Sequence, residues 1–487
     1  MRKIDPDLIM PGARLQGEDL SEVNLVGVNL AGANLSQANL RSAFLGKANL
    51  SRADLSGADL TGANMIGTNF KNADMSRVIL KDCTLQGADL SGSILSGAEI
   101  MLGNGLFGAN LSGANLEFTV MQGNYIENAN LAGANMQGVD LEGTSLIQCD
   151  LRKANLQSSR MIKTDFGGAD LTEANFREAE IDRVDFTMAK MEGVDFHNAR
   201  MDDKTQIDDR YRLVWELVNQ GAMGRDLTGA DLTQACLTHV NFENAKLMGS
   251  KLAQCNFDKA NLAGADLTRA NCEKANFSNA RVQNTNFSLA NLQGANLSNI
   301  DLIGCNLTLV NLKEVLWDDG TRMDPKWRLV MNIINYGCVR QDRSGMDLSL
   351  AYLAEAKMSY SNLTNANLSN SYLQKADLWN ANLTGANFEK CILVKAGFRW
   401  ATMQKVIMKG ANLEGASLFG AELQGADLSN AILIGADLEA SKLDGVNFSG
   451  ADLSHARLVG TKITEQQLHS ASSIRGATLP DGRVMPE

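Results

Sequence analysis

A large apolar residue recurs at every fifth position over most of this 487-residue chain, and that period constrains the fold more than any other feature. Ala and then Asn or Asp usually precede it, as in Ala33-Asn34-Leu35. A period of five matches neither an α-helix, with about 3.6 residues per turn, nor a continuous β-strand, with a period of two. It fits a short strand followed by a corner: Ala and the central residue face inward, Asn or Asp faces outward, and the next two residues turn the chain. Four such sides would close one square coil.

The repeat occupies residues 15–201, 227–316 and 343–463, with a slip of one residue near Gly103-Asn104-Gly105. The composition agrees with stacked short units, because the chain has 44 Gly, only 5 Pro and only 6% aromatic residues. Stacking requires each backbone N–H as a donor, and proline has none. All the prolines lie outside the repeats: Pro6, Pro11, Pro325, Pro480 and Pro486.

The pattern Ala-(Asp/Asn)-Leu-x-x resembles the pentapeptide-repeat family, and the repeat covers about four-fifths of the chain. The resemblance implies an all-β solenoid, namely a right-handed quadrilateral β-helix. With stacked coils, this chain would form about 20 of them. The motif is specific for the fold and says little about activity.

Two interruptions, residues 202–226 and 317–342, align with each other at a constant offset of 116 residues. Asp324-Pro325 has the form of an N-cap followed by proline in the first turn, and Gly337 is typical of a helix end. We therefore expect one short helix in each insert. Their apolar residues nearly encircle each helix, which predicts that Trp215 and Trp327 are largely buried against the coils. These segments resemble the helical inserts of cyanobacterial-type pentapeptide-repeat proteins. Arg343 aligns with the inward residue Leu227, so we expect an incomplete coil after the second insert.

The two ends of the chain are expected to cover the terminal coils. Residues 1–14 are predicted to be an N-terminal cap and residues 464–487 a C-terminal cap or tail. Thr464 and Gln467 have the spacing of a capping box, which predicts a short helix at the start of the tail.

The residues that could carry chemistry form no recognisable constellation in the sequence. The eight cysteines include no C-x-x-C pair and are expected to be reduced residues at small inward positions. None of His197, His239, His455 and His469 has a metal-ligand or nucleophile partner at a recognised spacing. The GxGxxG match at 103–108 lies between repeats rather than between a strand and a helix, so a bulge explains it better than a nucleotide site. We therefore predict no enzyme, no cofactor and no metal.

Charge and hydropathy narrow the location and the partners. The net charge of −11 disfavours direct binding of nucleic acid. No apolar run is long enough to span a membrane, and the first residues lack the apolar stretch of a secretion signal, so we expect a cytoplasmic location.

Two functions are consistent with the repeat. The first is a non-enzymatic scaffold that binds an unidentified protein or a second copy of itself. Residues 20 apart stack on one face, and in the last repeat stretch this predicts an apolar patch. Its members are Tyr352, Tyr372, Trp379, Ile392, Val394, Trp400, Phe419, Ile432 and Ile434. Aromatic residues of this kind are favoured at protein contacts, although the chain's own tail or second helix could instead cover them.

The alternative is a DNA mimic that regulates a topoisomerase such as DNA gyrase, as some pentapeptide-repeat proteins do. Its basis is the acidity of residues 165–209, which hold 13 Asp/Glu and 5 Lys/Arg. These acids fall on all four predicted faces, whereas a mimic should line them along one or two.

Overall fold

The computed structural model describes residues 9–100 and 105–486, and throughout this part the chain winds into stacked coils. Parallel bridges join residues 20 positions apart, such as Arg14 to Asn34 and Asn34 to Asp54. Bridging residues recur every five positions, so each coil has four sides. Most sides contribute a single bridging residue, and five are long enough to form short strands. These are β1 (Ile79–Leu80), β2 (Glu99–Ile100), β3 (Arg160–Ile162), β4 (Glu180–Asp182) and β5 (Arg200–Met201).

The contacts divide the chain into two compact units. The first contains Met1–Ala222 and Leu232–Val240, and the second contains Met223–Asp231 and Asn241–Glu487. Bridges in the first unit run from Arg14 to Gln206, and those in the second run from Asp226 to Thr478.

One five-residue side, residues 33–37, shows how the period satisfies the backbone. The N–H groups of its second, third and fifth residues donate to neighbouring coils, at 2.8, 2.6 and 2.9 Å. The N–H of the first residue closes a turn by donating to Leu30 O at 3.0 Å. The N–H of the fourth donates to the side-chain Oδ1 of Asn34 at 3.0 Å. All five donors are therefore used, which explains why proline is confined to the ends and inserts.

The interior is filled by the central residues and by the small residues two positions before them. Leu35, Leu373 and Phe70 are fully buried. Where phenylalanines occupy equivalent positions of successive coils, their rings stack, as for Phe166 and Phe186 with centroids 5.3 Å apart. The small slot also takes Ser, Thr or Cys, listed with the carbonyl to which each donates: Thr68 to Leu45 O, Ser371 to Leu348 O, Cys149 to Ile126 O and Cys391 to Leu368 O.

The outward Asn and Asp residues do more than meet solvent, which corrects the expectation that they are ordinary solvated residues. Asn175 accepts from the backbone N–H of Arg177 at 3.0 Å and donates through Nδ2 to Asn155 Oδ1 at 2.8 Å. Asn155 donates in the same way to Asn135. The side-chain oxygen closes each corner as in an Asx turn, and the amide links successive coils.

The slip of register appears as a change of offset. Thr84 bridges Gly105 and Asp89 bridges Asn110, each 21 residues apart, whereas Gly105 bridges Tyr125 at the usual 20. The extra residue falls at 101–104. The bulge expected there, with Gly103 and Asn104, lies outside the described residues, while Leu106 to Gly108 continue the repeat.

A helix lies in each insert: α1 (Asp209–Gln220) and α2 (Pro325–Tyr336). Gly221 and Gly337 follow them with φ of 83° and 75°. A Cβ on Gly337 would approach Lys357 O to 2.6 Å, so glycine is required there. Trp327 is buried, whereas Trp215 is half-buried and its indole N–H donates to Ala199 O at 2.9 Å.

The two helices dock through the same polar residues at the 116-residue offset. Asn219 Nδ2 donates to Phe196 O at 3.0 Å, and Asn335 Nδ2 donates to Leu312 O at 3.0 Å. Each amide also donates to a carbonyl of its own helix. One conserved-looking pair of docking bonds therefore ties each helix end to a coil.

Arg343 departs from the inward pattern as the alignment indicates. Its backbone N–H stacks on Asn362 O at 2.7 Å, but its side chain is only half-buried and its Nε has no hydrogen-bond partner. The coil thus continues in the backbone, while its inward position lacks an apolar filling.

The tail begins with α3 (Glu465–Ser470), whose capping box joins Thr464 and Gln467. Gln467 Nε2 also donates to Leu443 O and Val446 O. Beyond the helix, Ser473 and Thr478 bridge the last regular coil in parallel. At the other end, the first described bridge already includes Arg14, and residues 1–8 of the expected N-terminal cap lie outside the described residues.

We expect Leu373→Asp to lower the free energy of unfolding by more than about 4 kcal/mol, because it places a carboxylate among fully buried side chains. Asn362→Ser should cost only about 1 kcal/mol, because serine removes one exposed amide contact to Asp342. Chemical denaturation of both variants measures the difference. Equal midpoints would contradict the inward and outward register.

We expect Asn219→Ala or Asn335→Ala to cost about 1–2 kcal/mol each, because each removes hydrogen bonds that dock a helix end. Gln220→Ala, at the exposed end of α1, is the matched control and should change little. Hydrogen exchange of the α1 and α2 amides, together with denaturation midpoints, reports the effect. Protection of the helices that does not change in the Asn variants would show that apolar packing alone holds them.

Candidate protein-binding surface

Five of the residues singled out from the sequence occupy or flank one straight column of the second unit. Bridges join Tyr352 to Tyr372, Tyr372 to Ile392, Ile392 to Asn412 and Asn412 to Ile432. The two tyrosine rings stack with centroids 5.3 Å apart at 11°, and Ile392 and Ile432 are 42% and 39% exposed. Two positions further along their coils, Val394 and Ile434 are half-buried. We call these residues, with Asn412, the column.

The remaining three residues lie around the next corner, and the structure adds Tyr360 to them. Tyr360 meets Trp379 edge-on at 5.0 Å, and Trp400 meets Phe419 edge-on at 5.2 Å. Trp400 is 51% exposed and Trp379 45%. Tyr360, Trp379, Trp400 and Phe419 are the corner group. Tyr360 could have been found from the sequence, since it stands two residues after its centre, as Trp400 does.

The backbone at this corner is unusual for aromatic residues. Tyr360 and Trp400 have φ of 58° and 59°, in the left-handed region that glycine occupies at many other corners. That conformation costs a residue with a Cβ roughly 1–2 kcal/mol. In the next coil Gly420 occupies this position, and a Cβ there would lie 2.4 Å from the Trp400 ring. Gly420 therefore makes room for the exposed indole.

Small side chains separate the column from the corner group along each coil. The outward positions between them are Asp377, Gly397 and Ser417, which bridge in succession. A Cβ on Gly397 would meet nothing nearer than 3.9 Å, and its φ is outside the left-handed region. The fold would accept a larger residue there, so its absence leaves a shallow floor between two apolar walls.

The same surface is basic within an acidic chain. Residues 391–410, which include Ile392, Val394 and Trp400, contain no Asp or Glu. Their charged residues are Lys395, Arg399, Lys405 and Lys409. The Arg399 guanidinium lies 5.2 Å from the centre of the Phe419 ring, so cationic and aromatic groups meet at the corner.

Away from this surface, the structure brings together three residues that the sequence leaves far apart. Asp195, His197 and Cys236 each place one ligand atom within 4.8 Å of the others. The sequence signal was present in the period: Asp195 and Cys236 are both outward residues directly before a centre. The insert between them hid the relation, because their separation is 41 rather than 20.

The other cysteines are inert by burial. Desolvation raises the pKa of Cys83, Cys149 and Cys391 to about 12 from 9.0. Desolvation also raises the pKa of Cys236, with a further contribution from the Asp195 charge. These thiols therefore stay protonated near neutral pH.

The fold and repeat define a class of β-solenoid proteins, and the family comparison identifies it. The family model Pentapeptide repeats (8 copies) matches most of the chain, and this protein belongs to that family. The matched segments are 19–57, 58–97, 106–138, 134–172, 159–198, 226–262, 245–284, 255–294, 270–308, 285–315, 344–370, 361–398, 371–410, 396–433 and 431–465.

Solved structures of the same family share the fold. Rfr23, a pentapeptide repeat protein from the cyanobacterium Cyanothece 51142, is 35% identical over 20% of this chain and 65% of its own length, with a TM-score of 0.19. HetL, involved in heterocyst differentiation regulation in the cyanobacterium Nostoc sp. strain PCC 7120, is 25% identical over 64% of this chain and 92% of its own, with a TM-score of 0.15.

A third similar structure is QnrB1, a plasmid-mediated fluoroquinolone resistance protein. It is 16% identical over 61% of this chain and 92% of its own, with a TM-score of 0.12. A search of curated proteins found no match to the chain. Among the described residues, no helix has the length and apolar character needed to cross a membrane.

The buried thiols predict slow alkylation of the folded chain. Their raised pKa values keep Cys83, Cys149 and Cys391 protonated through pH 9, where an ordinary thiol is about half ionised. We expect iodoacetamide at pH 9 to leave these three residues unmodified in the native chain and to modify them after denaturation. Peptide mapping by mass spectrometry reads each site. Rapid modification of the native chain would contradict their placement inside the coils.

Proposed function

We propose that this protein is a non-enzymatic scaffold whose column and corner group bind a partner protein. The contact residues are Tyr352, Tyr372, Trp379, Ile392, Val394, Trp400, Phe419, Ile432 and Ile434. The framework we propose is a right-handed quadrilateral β-helix of about 20 coils, with helical inserts at 202–226 and 317–342 and caps at 1–14 and 464–487. The cytoplasmic location stays a prediction from the sequence.

The observation that carries the proposal is the exposure of large apolar side chains in consecutive coils. Ile392, Trp379 and Trp400 are each more than 40% exposed. A contiguous surface of this kind on a folded domain commonly marks a contact site, and Trp and Tyr are favoured as its anchors. Left-handed backbone at Tyr360 and Trp400 adds a cost that folding alone does not require.

Charge indicates the chemistry of the partner. Residues 391–410 carry four basic side chains and no acid, so a partner that presents acidic residues around apolar ones would complement them. A second copy of this chain is the other occupant to test, since its residues 165–209 carry a net acidic charge. We favour a separate acidic protein, because many acids of that stretch are already paired within the chain.

Those internal pairs also weigh against the alternative, a DNA mimic acting on a topoisomerase such as DNA gyrase. Asp195 pairs with Arg177 at 3.2 Å, and Asp170 pairs with Lys190 at 3.5 Å. A mimic needs unpaired charge along one face, whereas these cations interrupt it. A gyrase supercoiling assay separates the two functions, because a scaffold for another protein leaves supercoiling unchanged.

We expect the double variant Tyr372→Glu with Ile392→Glu to lose its partner while staying folded, because the new carboxylates lie on an outward, partly exposed column. Affinity capture of the full chain from its native cells, with mass spectrometry of the bound proteins, measures partner recovery. Light scattering of the purified chain measures self-association in parallel. We expect recovery of an acidic partner to fall at least about tenfold, equivalent to about 1.4 kcal/mol.

The matched control is Asn291→Glu with Asn311→Glu, which adds equal charge to consecutive outward positions in the third run. It should keep both partner recovery and mass. If the Tyr372/Ile392 variant is folded and retains unchanged mass and unchanged recovery, this surface is not the interface. A drop in mass without loss of another protein would instead identify a second copy as the occupant.

A further inference from the structure

Asp195, His197 and Cys236 form a compact cluster on one side of the first unit. Asp195 is an outward residue before its centre, and His197 stands two positions further along the same coil. His197 Nδ1 lies 2.5 Å from Asp195 Oδ1, and its side chain is only 12% exposed. Cys236 Sγ completes the cluster, within 4.8 Å of the other two ligand atoms. Carboxylate oxygen, imidazole nitrogen and sulfur thus converge on one small volume.

The second ring nitrogen of His197 is held as it is in many metal sites. His197 Nε2 lies 2.6 Å from Thr238 O, and a carbonyl oxygen can only accept, so Nε2 carries the proton and donates. A histidine that ligates a metal through one nitrogen usually donates the other N–H to a carbonyl or carboxylate. The bond to Thr238 therefore orients Nδ1 toward Asp195 and Cys236.

The remaining contact requires a positive charge. Nδ1 faces Asp195 Oδ1, which is also only an acceptor when ionised, so a proton or a metal cation must lie between them. The burial of Asp195 opposes its ionisation, but hydrogen bonds from His197 lower the pKa of the carboxyl overall. A cation at this position would be coordinated on its far side by the thiolate of Cys236.

We propose that Asp195, His197 and Cys236 bind a divalent zinc-like cation, with water as the fourth ligand. Oxygen, nitrogen and sulfur donors together suit Zn²⁺, which takes four ligands in a tetrahedron at about 2.0–2.3 Å. Binding needs small side-chain movements, because Nδ1 and Oδ1 must separate to accommodate the ion.

Two groups compete with the metal and determine how its binding depends on conditions. Arg177 Nη1 lies 3.2 Å from Asp195 Oδ2 and already neutralises part of the carboxylate. The Cys236 thiol is protonated, as is Nδ1 when it donates to Asp195, so each bound cation releases these two protons to solvent. Affinity should therefore rise with pH and rise again when Arg177 is neutralised.

The test titrates the metal-free full-length chain with Zn²⁺ by calorimetry and with Co²⁺ by absorption. We expect one Zn²⁺ per chain and a near-ultraviolet thiolate-to-cobalt charge-transfer band. Cys236→Asn should weaken Zn²⁺ binding at least about 100-fold and abolish the band, since loss of even an outer partner costs roughly 10–100-fold. Asparagine is the residue that Asn155 and Asn175 supply at the equivalent slot of earlier coils, so this variant preserves the fold.

Cys391→Ser is the matched control. Ser371 already fills the equivalent buried slot one coil earlier and donates to a carbonyl as Cys391 does. The control should bind Zn²⁺ as the unchanged chain does, and Arg177→Gln should bind it more tightly. The absence of a thiolate band in the unchanged chain would overturn the proposal. Equal Zn²⁺ affinity in the chain with Cys236→Asn would overturn it as well.

Discussion

The need to give every backbone N–H a partner within five residues governs the rest of this structure. In each side, three donors bond to adjacent coils, one closes the corner turn and one bonds to the outward Asn or Asp, as residues 33–37 show. The period is fixed by this requirement and not by the apolar core alone. A side of four or six residues would leave a donor unpaired or misaligned, and an unpaired buried amide costs about 1–3 kcal/mol. Ala, Asn and Leu recur because each meets one part of the same hydrogen-bonding pattern.

This division of roles leaves few positions free to specify function. The inward slots accept only residues that fill the coil, and the residue before each centre usually supports the corner. Binding can be encoded only where the pattern tolerates exceptions, at outward positions and corners. Tyr372 and Ile392 replace outward Asn without breaking the backbone stack, since both still bridge their neighbours. Trp400 replaces a corner glycine or asparagine and needs Gly420 beside it. Exceptions to the repeat are therefore a better guide to function here than the repeat itself.

Much of the fold could be predicted from the sequence because the contacts of a regular coil are set by counting. The stacking of Tyr352 on Tyr372 follows directly from their separation of 20 residues. The hydrogen-bonded role of the outward Asn was missed, since the period shows where a side chain points and not what it meets there. Tyr360 was overlooked because it contacts Trp379 across a corner, one position out of line with the columns that were counted. The partial exposure of Trp215, despite the burial of Trp327, depends on helix docking that the aligned inserts do not reveal.

The inserts are where counting fails, and the Asp195–His197–Cys236 cluster shows why that matters. Within uninterrupted repeats, the outward column positions are mostly neighbours of the same kind, as in the series Asn135, Asn155 and Asn175. An insert lets the chain return to a column after an extra helix, so Cys236 can follow Asp195 in space with 41 residues between them. The backbone needs of the stack are still met, but the column no longer has to continue as an amide ladder. Interruptions of the solenoid thus bring unlike polar residues together, and they are the places where a repeat protein of this family can acquire chemistry that its regular coils exclude.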